Sequence, residues 1–255
     1  MPAAAPARIV ALGASNLTRG FHAVVSTARA EWGADVEIVG ALGHGRSYGS
    51  ESAFLGRVLP GILDSGLWAR LDAMPGMPTR AIVSDVGNDI LYGFSPPTIL
   101  GWVEESIERL QRHTQEIVLA GLPKVGVDDI SHAKFLFFRS VLFPRCRLSF
   151  AEVSDAAAAI EQGLERIAAA RRLRFVRLKP EWYGVDPIHI RPRHWHHAWQ
   201  EIVCGTTTPG ARRAPWGEGM RLYLMRPERQ RLFGVTQVTA QTGARLPGGG
   251  KVWLY

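Results

Sequence analysis

Two residue pairs in this 255-residue chain could do chemistry together. Asp186 and His189 lie three positions apart in the segment 182–191, so one turn of chain can hold the carboxylate against the imidazole. Such a contact fixes the imidazole tautomer and stabilises the imidazolium, which suits a general base that serves a hydroxyl nucleophile. A candidate hydroxyl stands far upstream, at Ser15 in Gly13-Ala-Ser-Asn-Leu-Thr-Arg-Gly20. There an apolar run passes into a helix-like one, and the free N–H groups of a helix start favour developing negative charge. Asn88, in Ser84-Asp-Val-Gly-Asn-Asp-Ile90, could aim a side-chain amide at the same charge. Each signal alone has an ordinary structural explanation: a serine caps a helix, Gly-Asn-Asp makes a turn, and Asp-x-x-His is a local ion pair.

The elements that would position these residues can be read from apolar patterning. Short buried runs at 8–13, 35–40, 79–85, 116–120 and 174–178 read as strands. They alternate with helical segments at 21–32, 51–63, 98–113, 151–172 and 194–204, with Pro60 kinking or ending the second and Ser149 or Ser154 capping the fourth. Strands alternating with helices imply a parallel sheet covered on both faces, with reactive loops at the carboxyl ends of the strands. The loop after the second strand, Ala41 to Gly49, carries Gly43, Gly45 and Gly49, which permit close backbone approach to a ligand.

Composition narrows the class. Hydrophobic residues make up 46% of the chain, too many for a disordered polymer. Cys146 and Cys204 are too few for a disulfide framework and lack metal-site spacing. No apolar run reaches the ~18 residues of a membrane span, and the start does not pattern as a signal peptide, so a cytoplasmic location is expected. His194, His196 and His197 lack a nearby partner to complete a metal set, and Trp195 and Trp199 read as packing residues. No cofactor is expected.

Residues 205–255 hold eight basic and two acidic residues, which places +6 of the formal +7 charge there. The expected organisation is a catalytic body over 1–204 and a basic, Gly/Pro-rich, β-type extension over 205–255. Strands are expected at 221–225, 231–239 and 251–255, forming a small antiparallel add-on, with a mobile linker at 211–214.

Taken in order, the serine after strand one, the glycine loop after strand two, the asparagine after strand three and the Asp-x-x-His before the last helix resemble the SGNH hydrolase superfamily, the GDSL-like esterases and lipases. The resemblance covers about residues 8–204. It implies a three-layer α/β/α sandwich on a five-stranded parallel sheet. It also implies roles: Ser15 as nucleophile, His189 as base, Asp186 as its orienting carboxylate, and Ser15, Gly45 and Asn88 as the oxyanion hole. Two positions depart from the family pattern. Ala14 stands where its first block has aspartate, and Val86 stands where its third block has glycine. The expected partner is a small-molecule ester. An alternative is a non-catalytic binding module on the same fold, its tail contacting nucleic acid or another acidic partner. Arg46, Arg191 and Arg193 lie where they could meet an anionic substrate, but solvated charge is the reading preferred for them, and 125–149 is the expected lid or pocket wall. Nothing in the sequence specifies an oligomeric state.

Overall fold

The computed structural model describes residues 7–123, 146–184, 186–205 and 216–255. The proposed lid and the 211–214 linker therefore lie wholly or mostly outside the described residues. The five expected strands are present as β1 (Arg8–Leu12), β2 (Glu37–Ala41), β5 (Thr79–Val83), β6 (Glu116–Ala120) and β7 (Arg174–Val176), all paired in parallel. Alternate residues of each central strand feed opposite cores. Ile9 and Ala11 of β1 pack on one face with Phe21, Val24 and Trp199, while Val10 and Leu12 pack on the other with Ile99, Val103 and Leu164. Two buried faces explain why these runs are almost continuously apolar.

The first face is covered by α1 (Ser15–Trp32), and the second by α2 (Leu67–Ala73) and α4 (Pro96–Gln111), with the short α3 (Asn88–Leu91) between the last two in sequence. The second face is completed by α5 (Phe150–Ala170), which opens with a capping box: Ser149 accepts from the Glu152 amide, and Glu152 accepts in return from the Ser149 amide. On the first face α6 (Trp195–Cys204) lies against α1, and Trp199, 1% exposed, packs there as expected.

The sheet is wider than the five strands expected. Its order is β10-β11-β2-β1-β5-β6-β7, where β11 (Lys251–Leu254) pairs in parallel with β2 and β10 (Ala244–Arg245) pairs antiparallel with β11. The tail thus adds a parallel strand to the central sheet. Val252 and Trp253, both buried, supply one apolar residue to each face.

Three more expectations need correction. Residues 51–63 form no helix; they contain a hairpin, β3 (Ser52–Phe54) and β4 (Arg57–Leu59), turned by Leu55 and Gly56 at φ 47° and 78°. Positive φ at both central positions matches the right-handed twist of a tight hairpin, and Gly56 makes this turn accessible. Similarly, 231–239 is a hairpin of β8 (Arg229–Leu232) and β9 (Val235–Val238), not one strand, turned at Phe233 and Gly234 with φ 45° and 86°. The two hairpins join as a separate antiparallel sheet in the order β3-β4-β8-β9. Residues 221–225, expected as a strand, instead fall largely in α7 (Trp216–Tyr223), which rests on α1 with Leu222 buried and Glu218 paired to Arg29 at 3.0 Å. Among the described residues, no helix is long and apolar enough to cross a membrane.

Candidate active site

The chain runs from β1 out to β2 and then back across β1 to β5, so β1 and β5 flank the point where the winding reverses. In open α/β sheets the crevice beyond the strand ends at such a point is where ligands bind. Ser15 begins α1 directly beyond β1, and Asn88 begins α3 directly beyond β5. His189 arrives from the opposite end of the sequence, in the loop before α6.

Three of the residues picked out by sequence meet in a line. The Ser15 hydroxyl lies 3.0 Å from His189 Nε2, and His189 Nδ1 lies 2.7 Å from Asp186 Oδ2. The other Asp186 oxygen accepts the Ile188 and His189 amides at 3.2 and 3.3 Å, an Asx-type turn that fixes the carboxylate before the imidazole. Burial raises the Asp186 pKa, but the hydrogen bond and charge of His189, the Ile188 amide and Arg19 outweigh it, and the carboxyl stays below its ordinary value. His189 is only 8% exposed, whereas the Asp186 side chain is 36% exposed, so the imidazole is the sheltered member of the pair.

The other two candidates sit on neighbouring loops. Gly45 has φ 65°, and a Cβ there would lie 2.9 Å from the Tyr92 hydroxyl, so both the backbone angle and the crowding call for glycine. Tyr92 donates to the Gly45 carbonyl at 2.6 Å, which holds this turn in place. The Asn88 amide nitrogen is buried and has no hydrogen-bond partner among the described residues. A buried donor left open in the resting protein is expensive unless it has a use.

Residues that sequence reading did not assign tie these loops together. Asp85, at φ 59°, accepts the backbone amides of Ala14 and Leu17 at 2.9 Å each and the Asn16 side-chain amide at 3.0 Å. Asn16 also donates to the Ile188 carbonyl at 2.9 Å and accepts the Ile190 amide at 2.8 Å. One Asp–Asn pair therefore joins the Ser15 turn to the strand end before Asn88 and to both neighbours of His189. Asp89 performs the matching task for the glycine loop, accepting the Tyr48 amide at 3.0 Å. Burial pushes Asp89 up to about 6, against the opposing effect of Ser47 and that amide. The signal that could have exposed Asp85 was the missing carboxylate at Ala14, since the first turn of α1 still needs an acceptor.

The arginines considered earlier are committed elsewhere. Arg46 is fully buried and donates to the carbonyls of Leu42, Pro60 and Tyr255, so it is neither solvated nor open to substrate. Arg191 donates to the Glu181 carbonyl at 2.6 Å, and Arg193 to the His194 ring at 3.1 Å.

Comparison with solved structures places this architecture. A member of the lipolytic G-D-S-L family from Veillonella parvula superposes with a TM-score of 0.51 at 12% identity, covering 79% of this chain and 100% of that one. A carbohydrate acetylesterase from Sinorhizobium meliloti superposes with a TM-score of 0.54 at 13% identity, covering 77% of this chain and 96% of that one. The chain has the fold of the SGNH hydrolase superfamily. No protein-family profile matches it, and no curated protein does.

Proposed function

We propose that the protein is a serine-dependent ester hydrolase working through an acyl-enzyme, with its reacting groups in the 1–204 body. The observation that carries this reading is the unbroken line from Ser15 through His189 to Asp186, at 3.0 and 2.7 Å. His189 Nε2 takes the hydroxyl proton as Ser15 Oγ attacks the ester carbonyl. Asp186 holds Nδ1–H and stabilises the imidazolium. The tetrahedral oxyanion is received by the Ser15 and Gly45 amides and by the open Asn88 amide. His189 then gives its proton to the departing alcohol. Water, deprotonated by the same imidazole, attacks the acyl-serine and releases the acid. The Sinorhizobium protein is a carbohydrate acetylesterase and the Veillonella one belongs to a lipolytic family, which agrees with ester chemistry on this fold.

The test is covalent labelling with a fluorophosphonate probe, read by mass spectrometry. The expected adduct is on Ser15, with labelling and ester turnover both lost in Ser15→Ala. A folded wild-type protein that takes no label and turns over no ester would overturn the reading and favour the non-catalytic module.

A further inference from the structure

In the hairpin that follows the glycine loop lies a cation that no carboxylate neutralises among the described residues. Arg57 follows the Leu55–Gly56 turn and pairs with Phe54 across the hairpin and with Leu232 of β8. Its Nε is buried without a hydrogen-bond partner, and among the described residues the guanidinium enters no ion pair. Glu51, six residues before it, lies 3.5 Å from Arg231 instead.

The surroundings connect Arg57 to the reacting groups. Phe54, its hairpin partner, stands 3.4 Å from where a Cβ on Gly45 would be. The His44 ring stacks on Phe54 at 5.8 Å, and its Nε2 shares a 3.0 Å hydrogen bond with the Tyr223 hydroxyl. Burial, and then the electrostatic effect of Arg19, His189 and Arg57, press His44 down to about 4, so His44 is neutral at pH 7. Burial also lowers Arg57, while the nearby Tyr223 hydroxyl opposes that shift. A half-desolvated guanidinium without a counter-charge is costly, and a planar fork of donors fits an oxyanion group.

We propose that Arg57, with the Tyr223 hydroxyl and His44 beside it, forms an anion-recognition subsite next to Ser15 and His189, and that the substrate is an ester bearing a carboxylate or phosphate group. The assignment rests on the esterase reading above for its catalytic half, but the anion site can be read without turnover.

The experiment compares matched ester pairs in wild type, Arg57→Gln and Tyr223→Phe. 4-Nitrophenyl hydrogen succinate is set against 4-nitrophenyl butyrate for an acyl-side carboxylate. 4-Acetoxybenzoate and 4-acetoxyphenyl phosphate are set against 4-acetoxybenzamide for an alcohol-side carboxylate or phosphate. The anionic-to-neutral ratio of kcat/KM is expected to fall about 10–100-fold in Arg57→Gln in at least one pair, chiefly through KM, as loss of a charge-assisted hydrogen bond implies. Tyr223→Phe, which removes one oxygen, is expected to lower the same ratio by about 3–10-fold. In the Ser15→Ala background, calorimetry with succinate and inorganic phosphate is expected to show binding that Arg57→Gln abolishes. Ratios unchanged in every pair, together with no anion binding, would overturn the subsite while leaving a labelled, ester-cleaving enzyme intact. Anion binding lost with Arg57 in a protein that takes no fluorophosphonate would keep the subsite and sink the esterase reading instead.

Discussion

Asp85 does for α1 what Ala14, at the helix's N-terminal cap, lacks the side chain to do. Its carboxylate accepts the Ala14 and Leu17 amides at 2.9 Å from across the crevice, out of a strand end 71 and 68 residues away in sequence. The cap is therefore supplied by the turn that also presents Asn88. Helix α1, with Ser15 at its first position, cannot shift relative to that turn without breaking charge-assisted hydrogen bonds.

Asp85→Gly removes this acceptor while accommodating φ 59° without strain. The variant is expected to lose about 2–4 kcal/mol in urea unfolding and more than tenfold in kcat, because small misplacements of a nucleophile are expensive. Asp85→Asn, which keeps one acceptor oxygen, should recover part of both. Turnover of Asp85→Gly within about threefold of wild type would show that the Ser15 turn holds its own shape.

For Asn88 the expectation separates chemistry from folding. Its amide nitrogen makes no hydrogen bond among the described residues, so Asn88→Ala strands no partner there. Turnover of a neutral ester is expected to drop ~10²–10³-fold, with thermal unfolding little changed. A variant that stays within about tenfold of wild type has lost no oxyanion donor.

Asp89 predicts a pH dependence of stability. Its folded pKa is raised from 3.8 to about 6, so the folded state holds the proton more tightly than the unfolded chain. The associated stability is full below about pH 4, declines as pH rises through 6, and is gone above that, a change of about 3 kcal/mol. Compared with wild type, Asp89→Asn should therefore gain relative stability between pH 4 and pH 7. Urea midpoints of the two proteins at pH 4, 5, 6 and 7 check this; a difference constant across the series would mean that Asp89 titrates normally.

Arg46→Met leaves the buried carbonyls of Leu42, Pro60 and Tyr255 without their shared donor. A loss of at least about 3 kcal/mol is expected in urea unfolding. A loss below about 1 kcal/mol would show that water replaces the guanidinium at these carbonyls.

Much of the framework was legible because its signals are local. Five parallel strands announce themselves as apolar runs, since both their faces are buried, and Asp186 and His189 are close enough in sequence for their contact to be inferred. The misses are long-range or degenerate. Leu55 and Leu59, four apart, satisfy a helical face as well as a hairpin, and only the Gly56 turn and the pairing of β4 to β8 decide the matter. The run 221–225 alternates like a strand, yet docking on α1 makes a helix of most of it. Asp85 is a through-space cap, visible from sequence only as a carboxylate missing somewhere else. Arg57 lies in the segment misread as helix, so its place across the hairpin from Phe54 had no sequence signal at all.

The position of β11 bears on timing. This strand lies inside the sheet beside β2, its partner more than 200 residues earlier, and the Tyr255 carbonyl that follows it takes a hydrogen bond from Arg46 in the glycine loop. A ribosome delivers β1, β2, β5, β6 and β7 first, leaving the β2 edge open and the buried guanidinium short of one acceptor until residues 251–255 emerge. The Ser15–His189–Asp186 line can be drawn without them, but Gly45 precedes the arginine whose set of acceptors only Tyr255 completes. Assembly of this site is thus a late event in synthesis, and a nascent chain stopped short of residue 251 would carry the reacting groups on an open sheet edge.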